Sequence, residues 1–326
     1  MPGVRIVGVG HHSPEKCISN DDMASIVETS DEWIAKRTGI RARRLSEGEG
    51  SSDLGAKAAI NALKNSGCSP EEIDLIIVAT TSPDSFTPST ACRIQGMLGC
   101  KNAVAFDVSA ACSGFLYSLI IANSFLKQGE RKKALIIGTE VLSRIVDWSD
   151  RNTCILFGDG AGAAVVEFSN ESNGIIETYF GSDGSLGDEA LRAGRFKLNN
   201  PVCKAEEKEE NNFITMDGKA IFKFAVSIIP EIVKTLLEKS NIDISEIKYI
   251  VPHQANMRII KDSARRLNVD MDKFFVNLDK YGNTSGASIP IALSEMSEQG
   301  LLNPGDKIIL AGFGGGLTWA GALIEW

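Results

Sequence analysis

Histidine is almost missing from this chain: its 326 residues include three, His11, His12 and His253, so each becomes informative. Cysteine occurs seven times, at 17, 68, 92, 100, 112, 154 and 203, but never as a Cys-x-x-Cys pair. An odd set in mostly apolar contexts argues against a disulfide framework and fits reduced thiols in a cytoplasmic protein. No run approaches the roughly 20 apolar residues that a membrane helix needs. The first ten residues lack both a basic start and a long apolar stretch, so no secretory signal is expected. Positive charge is short too: 34 Lys and Arg face 42 Asp and Glu, a net charge of −8. That balance excludes a general nucleic-acid binder and leaves room for a local basic patch.

What is present is a regular alternation. Short β-branched runs at 4–9, 75–80, 103–108, 134–138 and 163–167 read as buried strands, and a second set lies at 174–179, 249–252, 275–277, 307–311 and 320–325. Helical patterns separate them at 52–66, 90–98, 113–127, 220–239 and 257–267. Strands alternating with longer helices define an α/β sheet protein.

The two sets look like one unit used twice. Glu72-Ile73-Asp74-Leu75-Ile76-Ile77 matches Glu246-Ile247-Lys248-Tyr249-Ile250-Val251 at an offset of 174, and Lys133-Ala134-Leu135-Ile136 matches Lys307-Ile308-Ile309-Leu310 at the same offset. Cys112-Ser113-Gly114 pairs with Thr284-Ser285-Gly286 at an offset of 172. Such self-similarity is a fold-level clue. It predicts two halves, residues 1–172 carrying the cysteine and 173–326 carrying a histidine and an asparagine, joined through the polar stretch near 169–174. The charged segment 199–212 reads either as a solvated loop or as a flap over a site.

Three short segments have the chemistry of a site. In Val108-Ser109-Ala110-Ala111-Cys112-Ser113-Gly114 an apolar strand ends, small residues turn, and a helix begins. A cysteine there faces first-turn N–H groups and the positive helix end, which favour the thiolate. His253, in Val251-Pro252-His253-Gln254-Ala255-Asn256, directly follows an apolar strand, where α/β proteins place reactive groups. A satisfied core histidine is the competing reading. Gly282-Asn283-Thr284-Ser285-Gly286 is turn chemistry by composition, but in the repeat it occupies the place of Cys112, so Asn283 brings a non-titrating amide towards the thiol. The glycines of Ala311-Gly312-Phe313-Gly314-Gly315-Gly316 let backbone N–H groups approach an oxyanion. Phe157-Gly158-Asp159-Gly160-Ala161-Gly162 has the wrong spacing for a dinucleotide fingerprint.

Together these motifs, with Trp33-Ile34, Arg37-Thr38-Gly39-Ile40 and His253-Gln254-Ala255-Asn256, resemble the β-ketoacyl-acyl-carrier-protein synthase III family of thiolase-like condensing enzymes, nearly end to end. The resemblance implies a five-layer αβαβα fold built from two pseudo-symmetric halves, a homodimer, and a catalytic triad of Cys112, His253 and Asn283. It implies that acyl-CoA and malonyl-acyl carrier protein are the partners, with no cofactor, metal, nucleic acid or membrane involved. Cys112 and Gly315 would form the oxyanion hole. Trp33, Arg37, Arg151, Gly218 and Asn256 would hold coenzyme A. Phe86, Thr87, Leu142, Phe157 and Phe313 would line the acyl pocket. On the helix after His253, Arg258, Lys261 and Arg265, with Lys223 nearby, read either as a solvated basic face or as a dock for an acidic carrier protein.

The nearest alternative is a related Cys-His-Asn condensing or acyl-transfer enzyme of secondary metabolism. A hydroxymethylglutaryl-CoA synthase is disfavoured because no acid stands in Val78-Ala79-Thr80-Thr81. A thiol hydrolase or a non-catalytic acyl-CoA binder would not release carbon dioxide from a malonyl thioester.

Overall fold

The protein is described from a computed structural model covering residues 3–170, 173–194, 202 and 212–326; Cys203 and almost all of the 199–212 segment lie outside the described residues.

Two sheets form the frame. The first has five strands in the order Gly3–His12, Gly160–Ser169, Lys133–Glu140, Leu75–Ala79, Val104–Val108. Its last three strands run parallel and the first two pairings are antiparallel. The second has four, in the order Ile247–Pro252, Lys307–Gly314, Thr318–Glu325, Gly174–Ser182, with the first pair parallel. The expected strand at 275–277 does not form: a single bridge, Ile250 to Phe274, is all that pairs there.

Three hydrophobic clusters separate the layers. Helices Gly114–Lys127 and Ser288–Glu298 lie between the sheets, burying Phe115, Leu116, Leu119, Ile289 and Leu293 against strand residues of both. Burying each such side chain stabilises the fold by roughly 1.5–3 kcal/mol. Helices Ser51–Ser66 and Thr90–Leu98 cover the outer face of the first sheet; Gly218–Ser240 and Met257–Leu267 cover that of the second. This is the αβαβα arrangement. The central helix Ser288–Glu298 had no sequence signature, because Ser288 to Met296 are all buried and such a helix shows no apolar stripe against a polar face.

The repeat is tighter than residue identity suggests. Turns Ala111–Ser113 and Ser285–Ala287 are one-turn 3-10 segments, each opening on a residue with φ of 46° and each leading into a central helix. The loop offset is therefore 174, like that of the strands, and Cys112 is matched by Gly286 rather than Thr284. Backbone conformation carries the equivalence; the shared Ser-Gly letters do not. Among the described residues, no helix is long and apolar enough to cross a membrane, and no three His, Cys, Asp or Glu residues are grouped to hold a metal.

Candidate active site

Cys112 sits in the turn between the strand Val104–Val108 and the helix Gly114–Lys127. Backbone packs hard around it: a Cβ on Gly314 would lie 2.6 Å from Cys112 N, and one on Gly114 would lie 2.9 Å from Ala79 Cβ. Only glycine allows these approaches. The thiol is 8% exposed. Burial pushes its pKa up to about 12, with a hydrogen bond from Ser285 opposing the rise and the nearby Glu140 adding to it. The helix start favours the thiolate, yet desolvation is the larger effect, so the resting group is a neutral thiol.

His253 follows the strand Ile247–Pro252, pinned by its N–H donating to Ala311 O at 2.8 Å. Its Nδ1 lies 2.7 Å from Ser288 Oγ, and its ring meets Phe313 edge-on at 5.4 Å between centroids. Burial lowers its pKa to about 3, which keeps the imidazole neutral.

Asn283 is held by two backbone bonds, its N–H to Leu156 O at 2.8 Å and Gly158 N–H to its own carbonyl at 3.1 Å. Its Oδ1 accepts the Ser285 N–H at 2.8 Å, leaving the side-chain NH2 as the free end. Behind these loops Arg43 is fully buried, donating to Asn20 Oδ1 at 2.9 Å and to Ile155 O at 2.8 Å. The glycine motif at 157–162 is a staple: Asp159 accepts from Ser46 N at 2.8 Å, Ser143 N at 2.9 Å and Ser143 Oγ at 2.6 Å.

Cys112, His253 and Asn283 converge on one cavity of about 950 Å³, whose wall also includes Phe157, Phe313 and Gly314. Trp33, Arg37, Gly218, Asn256 and Arg258 line the same cavity. Arg37 and Arg151 both stack on Trp33, at 4.2 and 4.7 Å from its ring centroid. Asn256 caps the helix Met257–Leu267 by accepting the Arg258 N–H at 2.8 Å.

Other expected residues stand elsewhere. Gly314, not Gly315, is on the cavity wall, and Asn152 stands there in place of Arg151. Leu142 is buried in the core beside the second sheet. Phe86, 78% exposed, and Thr87 lie on the outside of this chain, away from its own cavity wall. Lys223, Lys261 and Arg265 are exposed, but Arg265 and Arg266 both pair with Asp262, the latter at 2.7 Å, so the basic stripe is partly neutralised. Arg258 packs over Phe222 at 5.7 Å.

Sequence reasoning passed over Ser285, Ser288, Glu140 and Arg43. A signal existed for Glu140, an acid closing the apolar run Ala134-Leu135-Ile136-Ile137-Gly138-Thr139.

Residues 237–326 match the family 3-oxoacyl-[acyl-carrier-protein (ACP)] synthase III C terminal, and residues 106–184 match 3-oxoacyl-[acyl-carrier-protein (ACP)] synthase III. The beta-ketoacyl-[acyl-carrier-protein] synthase III of Clostridium acetobutylicum is 54% identical over 100% of this chain and 99% of its own length. Among solved structures, the 3-oxoacyl-[acyl-carrier-protein] synthase III of Aquifex aeolicus superposes with a TM-score of 0.93 at 46% identity, covering 99% of this chain and 100% of that one. The enzyme of the same description from Pseudomonas aeruginosa gives 0.92 at 36% identity, covering 99% and 98%.

Proposed function

Because the chain belongs to the 3-oxoacyl-[acyl-carrier-protein] synthase III family, we propose that Cys112, His253 and Asn283 are the residues with which it makes a carbon–carbon bond. The chain is an acyltransferase. It condenses an acyl-CoA primer with malonyl-acyl carrier protein, with loss of carbon dioxide, to give the 3-oxoacyl carrier protein that starts fatty acid synthesis. The observation that carries the residue assignment is the convergence of a thiol, a neutral imidazole and a free carboxamide on one cavity.

The chemistry follows from those groups. The Cys112 sulfur attacks the acyl thioester while the N–H groups of Cys112 and Gly315, the residue directly after the wall-lining Gly314, receive the oxyanion. Coenzyme A leaves and an acyl-enzyme remains, so two substrates use one site in turn. The malonyl thioester then loses carbon dioxide. Its enolate oxygen takes hydrogen bonds from His253 Nε2–H and the Asn283 amide, and its carbon attacks the acyl-enzyme. A neutral imidazole suits this role because it donates without carrying charge into a desolvated site. Thiol, imidazole and amide suffice, so the scheme calls for no cofactor.

Trp33, Arg37, Arg151, Gly218 and Asn256 are assigned to the coenzyme A end, supported by the cavity wall and the arginine–tryptophan stack. Phe157 and Phe313 are assigned to the acyl end. Lys223, Arg258, Lys261 and Arg265 are assigned to carrier docking, with Lys261 the cleanest member. Phe86, Thr87 and Leu142 belong to an acyl pocket completed in a homodimer. Dimerisation is supported by the strand Val104–Val108, which closes one side of its sheet with Val104 46% and the neighbouring Phe125 39% exposed. A sheet edge with apolar side chains is a pairing surface. The two halves divide near 172–173, supported by the neighbouring strands Gly160–Ser169 and Gly174–Ser182 entering different sheets. The protein is assigned to the cytoplasm, acting on neither membrane nor nucleic acid; the acidic charge and, among the described residues, the free cysteines support this reading. A panel of acyl-CoA primers with malonyl-acyl carrier protein, read as carbon dioxide released and product mass, tests the reading; acyl transfer without carbon dioxide release would overturn it.

A further inference from the structure

The two N–H groups assigned to the oxyanion come from opposite halves of the chain. One belongs to the turn Ala111–Ser113 and the other lies just past the strand Lys307–Gly314. Glycine is the residue least able to hold its own peptide in one conformation, and Gly314, Gly315 and Gly316 stand in a row there. A donor pair that is in place before the reaction needs a group that fixes one segment against the other.

The side chain of Thr318 makes that connection. Thr318 opens the strand Thr318–Glu325, with Gly314 as its partner across the hairpin. Its Oγ1 lies 3.1 Å from Gly315 O, 3.0 Å from Ala110 O and 2.7 Å from Ser113 Oγ. One hydroxyl therefore meets the residue before the Cys112 turn, the residue after Cys112, and the carbonyl of Gly315. Ser113 is fully buried and closes the cluster, its Oγ lying 2.7 Å from Ala110 O.

Each of these hydroxyls has a single proton to give. Ala110 O already accepts the Ser113 N–H at 3.2 Å. One order of donors puts a proton in the 2.7 Å hydroxyl contact and also reaches Gly315: Ser113 donates to Thr318, and Thr318 donates to Gly315 O. The far side of the loop is tied as well. Leu317 O accepts the Asp183 N–H at 2.8 Å, and Leu317 N–H donates to Asp183 O at 2.6 Å. Gly315 thus stands between a strand pair at Gly314 and a doubly bonded Leu317, with its own carbonyl on Thr318.

We propose that Thr318, backed by Ser113, is a positioning residue that fixes Gly315 against the Cys112 turn and keeps the oxyanion donors preformed. This rests on the reading that Cys112 is the nucleophile and that the Gly315 N–H receives the oxyanion. Thr318 lies off the cavity wall and acts through the backbone of Gly315. When the sulfur attacks the thioester carbonyl, an electron pair moves onto the carbonyl oxygen, and the donors must already point there. A glycine loop free to turn would have to be ordered at that moment, which slows the step. The attack of the enolate carbon on the acyl-enzyme carbonyl makes the same demand.

The test compares Thr318→Val, Thr318→Ser and Gly315→Ala in the full-length enzyme. Valine keeps the branched shape that suits a strand and removes the hydroxyl. Each variant is treated with acyl-CoA and read by intact-protein mass. It is treated separately with iodoacetamide, which alkylates sulfur without forming an oxyanion. Thr318→Val should acylate about tenfold more slowly or worse, yet be alkylated at the wild-type rate. Thr318→Ser, which keeps the hydroxyl, should recover most of the acylation rate. Equal loss of acylation and alkylation in Thr318→Val would mean that the thiol itself is disturbed and overturns the proposal. A serine variant as slow as the valine variant overturns it too, as does a wild-type acylation rate in Thr318→Val. Gly315→Ala tells the two readings apart, because a Cβ there would lie 3.1 Å from Leu191 Cδ2 and 3.3 Å from Leu191 O and so displaces the loop. Slow acylation in Gly315→Ala beside normal acylation in Thr318→Val removes the hydroxyl clamp alone; normal acylation in both removes the Gly315 assignment with it.

Discussion

Ser288 Oγ lies 2.7 Å from His253 Nδ1 and receives the Gln254 N–H at 3.4 Å. The role proposed for His253 calls for the serine proton to point to Nδ1 and the proton of the neutral ring to sit on Nε2, the nitrogen turned away from Ser288. A hydroxyl in this place orients the ring without charging it, as a carboxylate would not.

Ser288→Ala should therefore slow condensation about tenfold or more while sparing acyl loading. Losing one buried hydrogen bond costs about 1–3 kcal/mol, and each 1.4 kcal/mol is a factor of ten in rate. Single-turnover mass spectrometry separates the two half-reactions. Equal loss in both would mean that Ser288 only supports packing.

The triad should divide by role. Cys112→Ala is expected to abolish the acyl-enzyme. His253→Ala and Asn283→Ala are expected to keep it and lose decarboxylation by two orders of magnitude or more, because the enolate oxygen then lacks a donor. Radiolabelled acyl-CoA reads the first step and released carbon dioxide reads the second.

Stability should fall in acid partly through His253. Its folded pKa is lowered to about 3 from an ordinary 6.5, so between these values the unfolded chain binds a proton that the folded chain refuses. The contribution is complete above about pH 6.5 and falls by at most about 1.4 kcal/mol per pH unit below it. Urea unfolding at pH 7.5 and 5 should show His253→Gln losing about 2 kcal/mol less than the wild type. Parallel losses in the two proteins would refute this.

Much of this was legible in the letters. β-Branched runs and amphipathic stripes located nine of the ten expected strands and all five expected helices within a few residues, because both patterns mark one buried face. The turns Ala111–Ser113 and Ser285–Ala287 were legible as positions but not as conformations: nothing in Ala111 or Ser285 announces a positive φ. Cys112, His253 and Asn283 could be named from their motifs. Ser288 could not, and Glu140 stood out only as an acid closing an apolar run, since a buried acid or hydroxyl acquires its partners only when segments far apart in sequence meet. The thiol's raised pKa was likewise hidden, for desolvation is a property of the packed site and the helix end is not.

Lys261 should matter for the protein substrate alone. It is exposed on the helix Met257–Leu267 and lies off the main cavity wall, whereas Arg258 lies on that wall. Lys261→Glu should raise the apparent KM for malonyl-acyl carrier protein several-fold at low salt, with acyl-CoA loading unchanged, and the effect should fade as salt screens the pair. Arg258→Glu should impair both substrates. Identical behaviour of the two variants would remove the docking argument.

Primer length should be set from outside the chain's own cavity. The family resemblance implies that the residue just before the proline of this loop reaches across a dimer to the acyl pocket, where a phenylalanine would close it around acetyl-sized groups. Here that position is Thr87, ahead of Pro88, and the aromatic ring has moved to Phe86, which is 78% exposed in the single chain. Phe86 and Thr87 are successive residues of one bend, so the ring at 86 starts from a different backbone position than the side chain at 87. A threonine in place of a ring leaves room for several methylenes, each stabilising the bound primer by about 0.8 kcal/mol when buried. The enzyme is therefore expected to use butyryl- and octanoyl-CoA or branched primers as well as acetyl-CoA, and Thr87→Phe should shift preference to acetyl-CoA by tenfold or more. Competition among acetyl-, butyryl- and octanoyl-CoA in one reaction, with products resolved by mass, measures both effects. Exclusive use of acetyl-CoA by the wild type would mean that the loop turns Phe86 back into the partner's pocket and that the aromatic plug has changed position without being lost.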